Sequence, residues 1–409
     1  MIRILLFICV TFSATAGILH VGKGQLPTIK LAIAKAQPGD TIIIHSGVYK
    51  EGNIIIKKPL TVLGDHYPLL DGENKYEIFT IVADHVTISG LHLANTGIAS
   101  IEDIAAIKGV EANDLKVISN KFENTYFGIH LSNCINSLIE GNTLRSDAEA
   151  EHQIGNGIHL WKCEYALIRK NKVTGHRDGI YFEFVTRSKV EENLSYGNLR
   201  YGLHFMFSHE DEYRNNTFRN NGSGVAVMYT MGVTMVGNRF EENWGSSSYG
   251  LLLKDIRDSK IERNTFYKNT IGVLMEGCTR SHFKENEFNQ NGWALKIQAN
   301  CDANTFIENN FTSNTFDVAT NGSISLNTIS KNYWDKYEGY DLNKDGVGDI
   351  PYRPVSLYGM VVEKMPTAVM LWRSFLVTLL DRAEKVMPVV TPENLKDEFP
   401  AMKFIAKRF

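Results

Sequence analysis

Apolar residues along most of this chain alternate over three to five positions, as in Ile158 and Leu160, Ile180 and Phe182, or Leu203 and Phe205. A period of two is strand periodicity rather than helix periodicity. From about residue 117 the strands sit inside a recurring phrase, Asn-x-apolar-x-x-Asn and then Gly-aliphatic-x-aliphatic. Asn120-Lys121-Phe122 leads to Gly128-Ile129-His130-Leu131, and Asn193-Leu194-Ser195 leads to Gly202-Leu203-His204-Phe205. Gly128, Gly157, Gly179, Gly202, Gly224, Gly250 and Gly272 are separated by 29, 22, 23, 22, 26 and 22 residues. The series Asn120, Asn142, Asn171, Asn193, Asn216, Asn238, Asn264, Asn286 and Asn309 lengthens at the same places. The extra residues are therefore insertions into regular units, one at Ser146–His152 and one around Trp244–Ser248.

A 22-residue unit of short strands cannot satisfy its backbone alone, so each strand must pair with its equivalent in the next unit. Stacking aligns like residues. Asparagine at the bend can then form an internal ladder of amide hydrogen bonds and accepts the left-handed backbone of a sharp corner. A leucine-rich repeat has a similar period, but its Leu-x-x-Leu-x-Leu signature is absent. The fold class expected is all-β, a right-handed parallel β-helix of about 12 coils of 22–26 residues between positions 41 and 334.

Ahead of the regular coils, Pro27-Thr28-Ile29 through Gln37 suits a short helix with Ile29, Ile33 and Ala36 on one face. Such a helix would cap strand edges that otherwise invite aggregation. Strand-like text follows at Gly39–Ile44, Ile54–Gly64 and Val86–Leu93. At the other end, Pro366–Met387 is expected to form an amphipathic helix of about five turns, too polar to span a membrane. It either folds back over the open end of the solenoid or docks on a partner. The N-terminus, with Met1-Ile2-Arg3, the apolar run Ile4–Phe12 and Ser13-Ala14-Thr15-Ala16-Gly17, reads as a secretory signal cleaved after Ala16. A buried first strand is the alternative. The expected organisation is a signal at 1–16, a β-helix at 17–356 and a helical tail at 357–409.

Composition changes this picture little. Apolar residues at 43% and charged residues at 22% are those of a soluble folded protein. A formal net charge of −3 supplies no basic excess for nucleic acid. Cys9 leaves with the signal, and Cys134, Cys163, Cys278 and Cys301 contain no CxxC pair. Cys134, Cys163 and Cys278 each fall six residues after a repeat glycine, which marks an inward stack. Cys134 and Cys163 occupy neighbouring rungs, where a disulfide is geometrically possible.

The repeat also acts as a ruler for the surface. If Ile129, Ile158, Ile180 and Leu203 point inward, residues two and four after each glycine point out. One outward column reads His130, His159, Tyr181, His204, and the next includes Met206 and Met228. With rungs about 4.8 Å apart, His204, Met206 and Met228 can converge on one ion, with Met231 and Met235 nearby in sequence. Imidazole and thioether suit Cu(I). His130 and His159 form a second pair, while His159 and His204, two rungs apart, should not share an ion. The bland alternative is an apolar stripe beside a hydrogen-bonded ladder.

The segment Asp341-Leu342-Asn343-Lys344-Asp345-Gly346-Val347-Gly348-Asp349 copies nine positions of a calcium loop, with Asp341, Asn343, Asp345, Val347 and Asp349 as ligand positions. Tyr352 stands where the bidentate glutamate belongs, so the alternative is a self-satisfied turn. Polysaccharide lyases, epimerases and sugar-binding proteins share this architecture, but an acid–base pair must sit close together. The outward carboxylates Glu183 and Glu276 are four rungs apart.

Several features together resemble one family. They are the signal, Pro38-Gly39-Asp40-Thr41, the Asn/Gly coils, Asn332-Tyr333-Trp334-Asp335 before Asp341–Tyr352, and a Met/Leu-rich tail with Pro388 and Pro392. The chain resembles NosD over essentially its whole mature length. That resemblance implies a non-enzymatic periplasmic accessory protein that binds and delivers copper for the copper–sulfur centre of nitrous oxide reductase. It also implies three partners: an ABC transporter permease and ATPase, a membrane-anchored copper chaperone, and the reductase. The tail, with Trp372, Arg373, Phe375 and Leu376, would dock on the permease. The resemblance carries over no copper ligand, so His204, Met206 and Met228, with His130 and His159, rest on spacing. A polysaccharide-active or sugar-binding β-helix is the competing reading.

Overall fold

A computed structural model describes residues 16–98, 103–322, 326–372, 374–386 and 395–406. The signal segment up to Thr15, and with it Cys9, lies outside the described residues, as do Arg373 and Met387. The strands form three sheets, here A with 14 strands, B with 13 and C with 12. Every pairing within them is parallel and joins one coil to the next. The solenoid is a right-handed parallel β-helix of about 13 turns. That is one more than the spacing predicts, because strand Ile18–Val21 pairs in front of Thr41–Ile44.

The expected inward residues Ile129, Ile158, Ile180 and Leu203 are fully buried, as are Cys134, Cys163 and Cys278. Cys301 is nearly so, and all four cysteines are free thiols. Phe240, Phe266, Phe288, Phe311 and Trp334 stack along the interior with centroids 4.0–4.8 Å apart. Each ring covers the face of the next, so one residue type recurs at one depth.

The asparagine ladder is present and continuous. Asn216 Nδ2 donates to Val190 O at 2.7 Å and to Asn238 Oδ1 at 3.0 Å, while Asn216 Oδ1 accepts from Asn193 N and Nδ2. At the last rung Asn332 donates to Asp397, whose carboxylate also takes Lys331 N and Trp334 Nε1. Asp397 belongs to the returning segment 395–406, which bridges to Ile329, Tyr333, Val347 and Tyr352. This segment, rather than the Pro366 region, closes the end of the solenoid.

The second asparagine of the repeated phrase builds a second buried ladder, Asn198, Asn221, Asn243, Asn269, Asn291 and Asn314. His176 stands at its head, with its own N–H donating to Asn198 Oδ1. Burial lowers the His176 imidazole from 6.5 to about 4, and neither ring nitrogen has a hydrogen-bond partner. The fold therefore holds the ring neutral, whereas the unfolded chain takes up a proton below about pH 6.5. Stability is complete above that pH and falls as pH drops towards 4. The His176→Asn variant, which continues the ladder, should lose about 2 kcal/mol less than the parent between pH 7 and pH 5. Urea unfolding at the two pH values measures the difference, and equal losses would contradict it.

The N-terminal cap forms as expected, as helix Ile29–Lys35 with Ile29, Ala32 and Ile33 buried. Its N-cap is Thr28, whose Oγ1 accepts from Leu31 N, so Pro27 lies outside the first turn. The C-terminal expectation needs correction. Instead of one five-turn helix there are an α-helix at Leu357–Lys364, a 3-10 turn at Pro366–Leu371 and an α-helix at Phe375–Val386. Pro366 lacks an amide hydrogen and cannot continue the first helix. Ser374 restarts the last, its Oγ accepting from Val377 N. Tyr358, Val362 and Val377 pack against Trp293, Phe316 and Ala319 on the outer side of sheet C. Among the described residues no helix is long and apolar enough to cross a membrane.

Candidate metal centre on sheet C

The register of sheet C sets His130, His159, Tyr181 and His204 on consecutive rungs. Their rings meet edge to face at centroid distances of 4.7, 4.7 and 5.0 Å. Met206 pairs with Met228 in the next column. The columns face outward as the alternation requires, yet the imidazoles are hardly exposed: His130 is 5% and His204 3% accessible. Phe127 lies against His130 and His159, and Tyr201 lies 4.9 Å from His204.

This cover has chemical consequences. Burial lowers His130 from 6.5 to about 4 and pushes His159 well below its ordinary value, so both rings stay neutral. A neutral ring is the form that binds metals. Both ring nitrogens of His204 are buried without a hydrogen-bond partner, and Nδ1 is 3.6 Å from Asp178 Oδ2, which is also orphaned. The other Asp178 oxygen accepts from Tyr201 N at 3.2 Å. Met206 Sδ accepts from the Tyr181 hydroxyl at 3.8 Å, and Met206 and Met228 are both half-buried. A buried imidazole without hydrogen bonds is costly, and an imidazole beside two thioethers is a donor set of the kind that suits a soft cation.

Among the described residues no three His, Cys, Asp or Glu side chains are grouped to hold a metal. A metal at His204 would therefore depend on the methionine sulfurs. Met235 takes no part, since it is buried inside the solenoid, whereas Met231 is exposed at the corner. The spacing argument found the His and Met columns but not Asp178, Asn156 and His176, whose orphaned polar atoms lie on nearby rungs. Their signal was positional: Asn156 and Asp178 each immediately precede a repeat glycine.

The Asp341–Asp349 loop closes on its own carboxylates. Asp341 accepts from Asp345 N and Gly346 N, Asp345 from Val347 N, and Asp349 from Leu342 N. Gly346 takes φ +87°, as a tight turn at that position needs. Tyr352 points to Asp317, at 3.2 Å, and so lies away from the loop. In the tail, Trp372 packs on Phe316 and Tyr358, while Phe375 and Leu376 are 84% and 49% exposed beside Met370 at 87%. Glu183 and Glu276 are separated by the rungs of Met206, Met228 and Lys254. That is about 19 Å at the usual rung spacing, too far to flank one glycosidic bond.

Fold and site together define a parallel β-helix with a soft donor set on its outer face. Residues 145–343 match the family described as periplasmic copper-binding protein (NosD). A probable ABC transporter binding protein NosD from Pseudomonas aeruginosa is 27% identical, covering 92% of this chain and 94% of the relative. Its counterpart from Stutzerimonas stutzeri is 26% identical over 88% of this chain and 86% of the relative. Together these matches make the chain similar to NosD proteins over most of its length. Among solved structures, the catalytic domain of a GH87 alpha-1,3-glucanase in complex with tetrasaccharides aligns with a TM-score of 0.59 at 11% identity, covering 78% of this chain and 69% of its own. At that identity the likeness concerns the fold alone.

Proposed function

We propose that this NosD-type protein is a periplasmic accessory factor that holds Cu(I) on the outer face of sheet C and passes it towards the copper–sulfur centre of nitrous oxide reductase. The observation that carries the reading is His204, buried with neither ring nitrogen hydrogen-bonded, beside the Met206–Met228 pair. Imidazole and thioether bind Cu(I) without charge, so the ion can be released to a thiolate or sulfide acceptor. His130 and His159, neutral through burial, extend the same column but bring no thioether, so the resident ion in this reading sits at His204.

The relatives' name supports an ABC transporter as partner, and in this reading a membrane-anchored copper chaperone is the donor. The tail offers the docking surface: Met370, Trp372, Phe375 and Leu376 expose more apolar area than a helix needs for its own packing. Arg373 belongs to the same proposal. The test is the copper content of nitrous oxide reductase from a strain lacking this protein, complemented with parent or variant chains. Deletion should leave the reductase short of copper. A Phe375→Asp, Leu376→Asp chain should fail to restore it while still binding Cu(I) after purification. A fully loaded reductase in the deletion strain would overturn the reading.

A further inference from the structure

A second histidine cluster lies at the opposite end of the solenoid, on the first coils of sheet A. His20 is on the terminal strand Ile18–Val21, His45 directly follows Thr41–Ile44, and Asp65 follows Thr61–Gly64. His20 Nδ1 is 3.0 Å from His45 Nε2, and His45 Nδ1 is 2.9 Å from Asp65 Oδ2. Asp65 also takes His66 Nδ1 and Lys23 Nζ. The two rings are 6° from parallel with centroids 5.2 Å apart. Set against the 3.0 Å between nitrogens, that leaves room only for the two half-rings, so the nitrogens face each other along the line of centres.

The Asp65 carboxylate faces three donors, His45, Lys23 and His66. With Nδ1 turned to that carboxylate, the other His45 nitrogen, Nε2, is the one aimed at His20. A histidine fixed by a carboxylate at one nitrogen, with the other aimed at a second imidazole, is the arrangement of a metal ligand with its orienting partner.

We propose that His20 and His45 form a two-nitrogen Cu(I) site, in which the ion replaces the bridging proton and that proton moves to His20 Nε2. The choice of Cu(I) rests on the copper reading above, while the donor geometry does not. Two opposed lone pairs match a linear two-coordinate cation, which needs no third side chain. Two bonds of about 2 Å require the nitrogens to part by about 1 Å. The structure permits this, because the His20 strand is the edge of sheet A, with a single partner strand. His45 has a side chain 14% exposed, so the site is shielded but reachable.

The test uses the full mature chain carrying His204→Ala, Met206→Ala and Met228→Ala, titrated with Cu(I) under anaerobic conditions against a chromophoric chelator. One equivalent should remain, with an X-ray absorption spectrum of two nitrogens and no sulfur. Adding His20→Ala or His45→Gln should remove it, with thermal unfolding confirming that both variants fold. Asp65→Asn should weaken it roughly tenfold or more. No remaining equivalent, sulfur in the spectrum, or binding that survives both histidine substitutions would overturn the proposal. Failure of the sheet C site reads differently: the parent would then bind no more copper than the triple variant.

Discussion

Changing His204, Met206 and Met228 together to alanine is expected to weaken Cu(I) binding at sheet C by at least about a hundredfold, roughly 2.7 kcal/mol. The expectation follows from the composition of the site. Its nitrogen donor is His204, whose ring nitrogens make no hydrogen bond, and its sulfurs come from the paired methionines. Removing all three leaves Tyr181 and the acidic Asp178, which offer oxygen to a cation that favours sulfur and nitrogen. The fold should survive, since Met206 and Met228 are half-buried on the outer face while the Phe205 and Val227 side chains fill the interior. Competition with a chromophoric chelator measures the change. Because the His20–His45 pair is proposed to bind as well, total stoichiometry should fall by one equivalent rather than to zero.

The second large effect concerns stability. Asn216→Ala should cost about 4 kcal/mol, measured by urea unfolding, although the residue touches no candidate ligand. The substitution takes the Asn216 side chain from Val190 O and Asn193 N and removes one of the two partners of Asn193 Nδ2, which keeps Ile168 O, all inside the solenoid. A buried polar group stripped of its partner costs more than an average hydrogen bond contributes. Asn215→Gly is the contrast: Asn215 sits at φ +55°, which glycine adopts freely, and the change should stay within about 0.5 kcal/mol. Equal costs at the two positions would refute the ladder's role.

Much of this was readable in the sequence because stacking turns one coil into all of them. A glycine and asparagine spacing shared across seven coils fixes which strand residues face in, and hence the Cys134–Cys163 stack and the His130–His204 column. It could not show that Phe127 and Tyr201 cover the histidines, because lateral contacts between columns have no period. It could not show Asp397 ending the ladder either, since that contact joins Asn332 to a residue 65 positions away. The tail reads as one helix from Pro366 because its apolar spacing runs on past Trp372, while the helical turns end at Leu371 and restart at Phe375. His20, His45 and Asp65 were passed over for a related reason: they lie before the regular coils, where no repeated phrase draws attention to them.

The central claim, a soft copper site on sheet C, is tested most directly by X-ray absorption at the copper edge on the Cu(I)-loaded chain carrying His20→Ala. The account predicts about two sulfur scatterers and one nitrogen at the remaining ion, with the sulfur signal lost when Met206→Ala and Met228→Ala are added. A spectrum of nitrogen and oxygen alone, unchanged by the methionine substitutions, would contradict it.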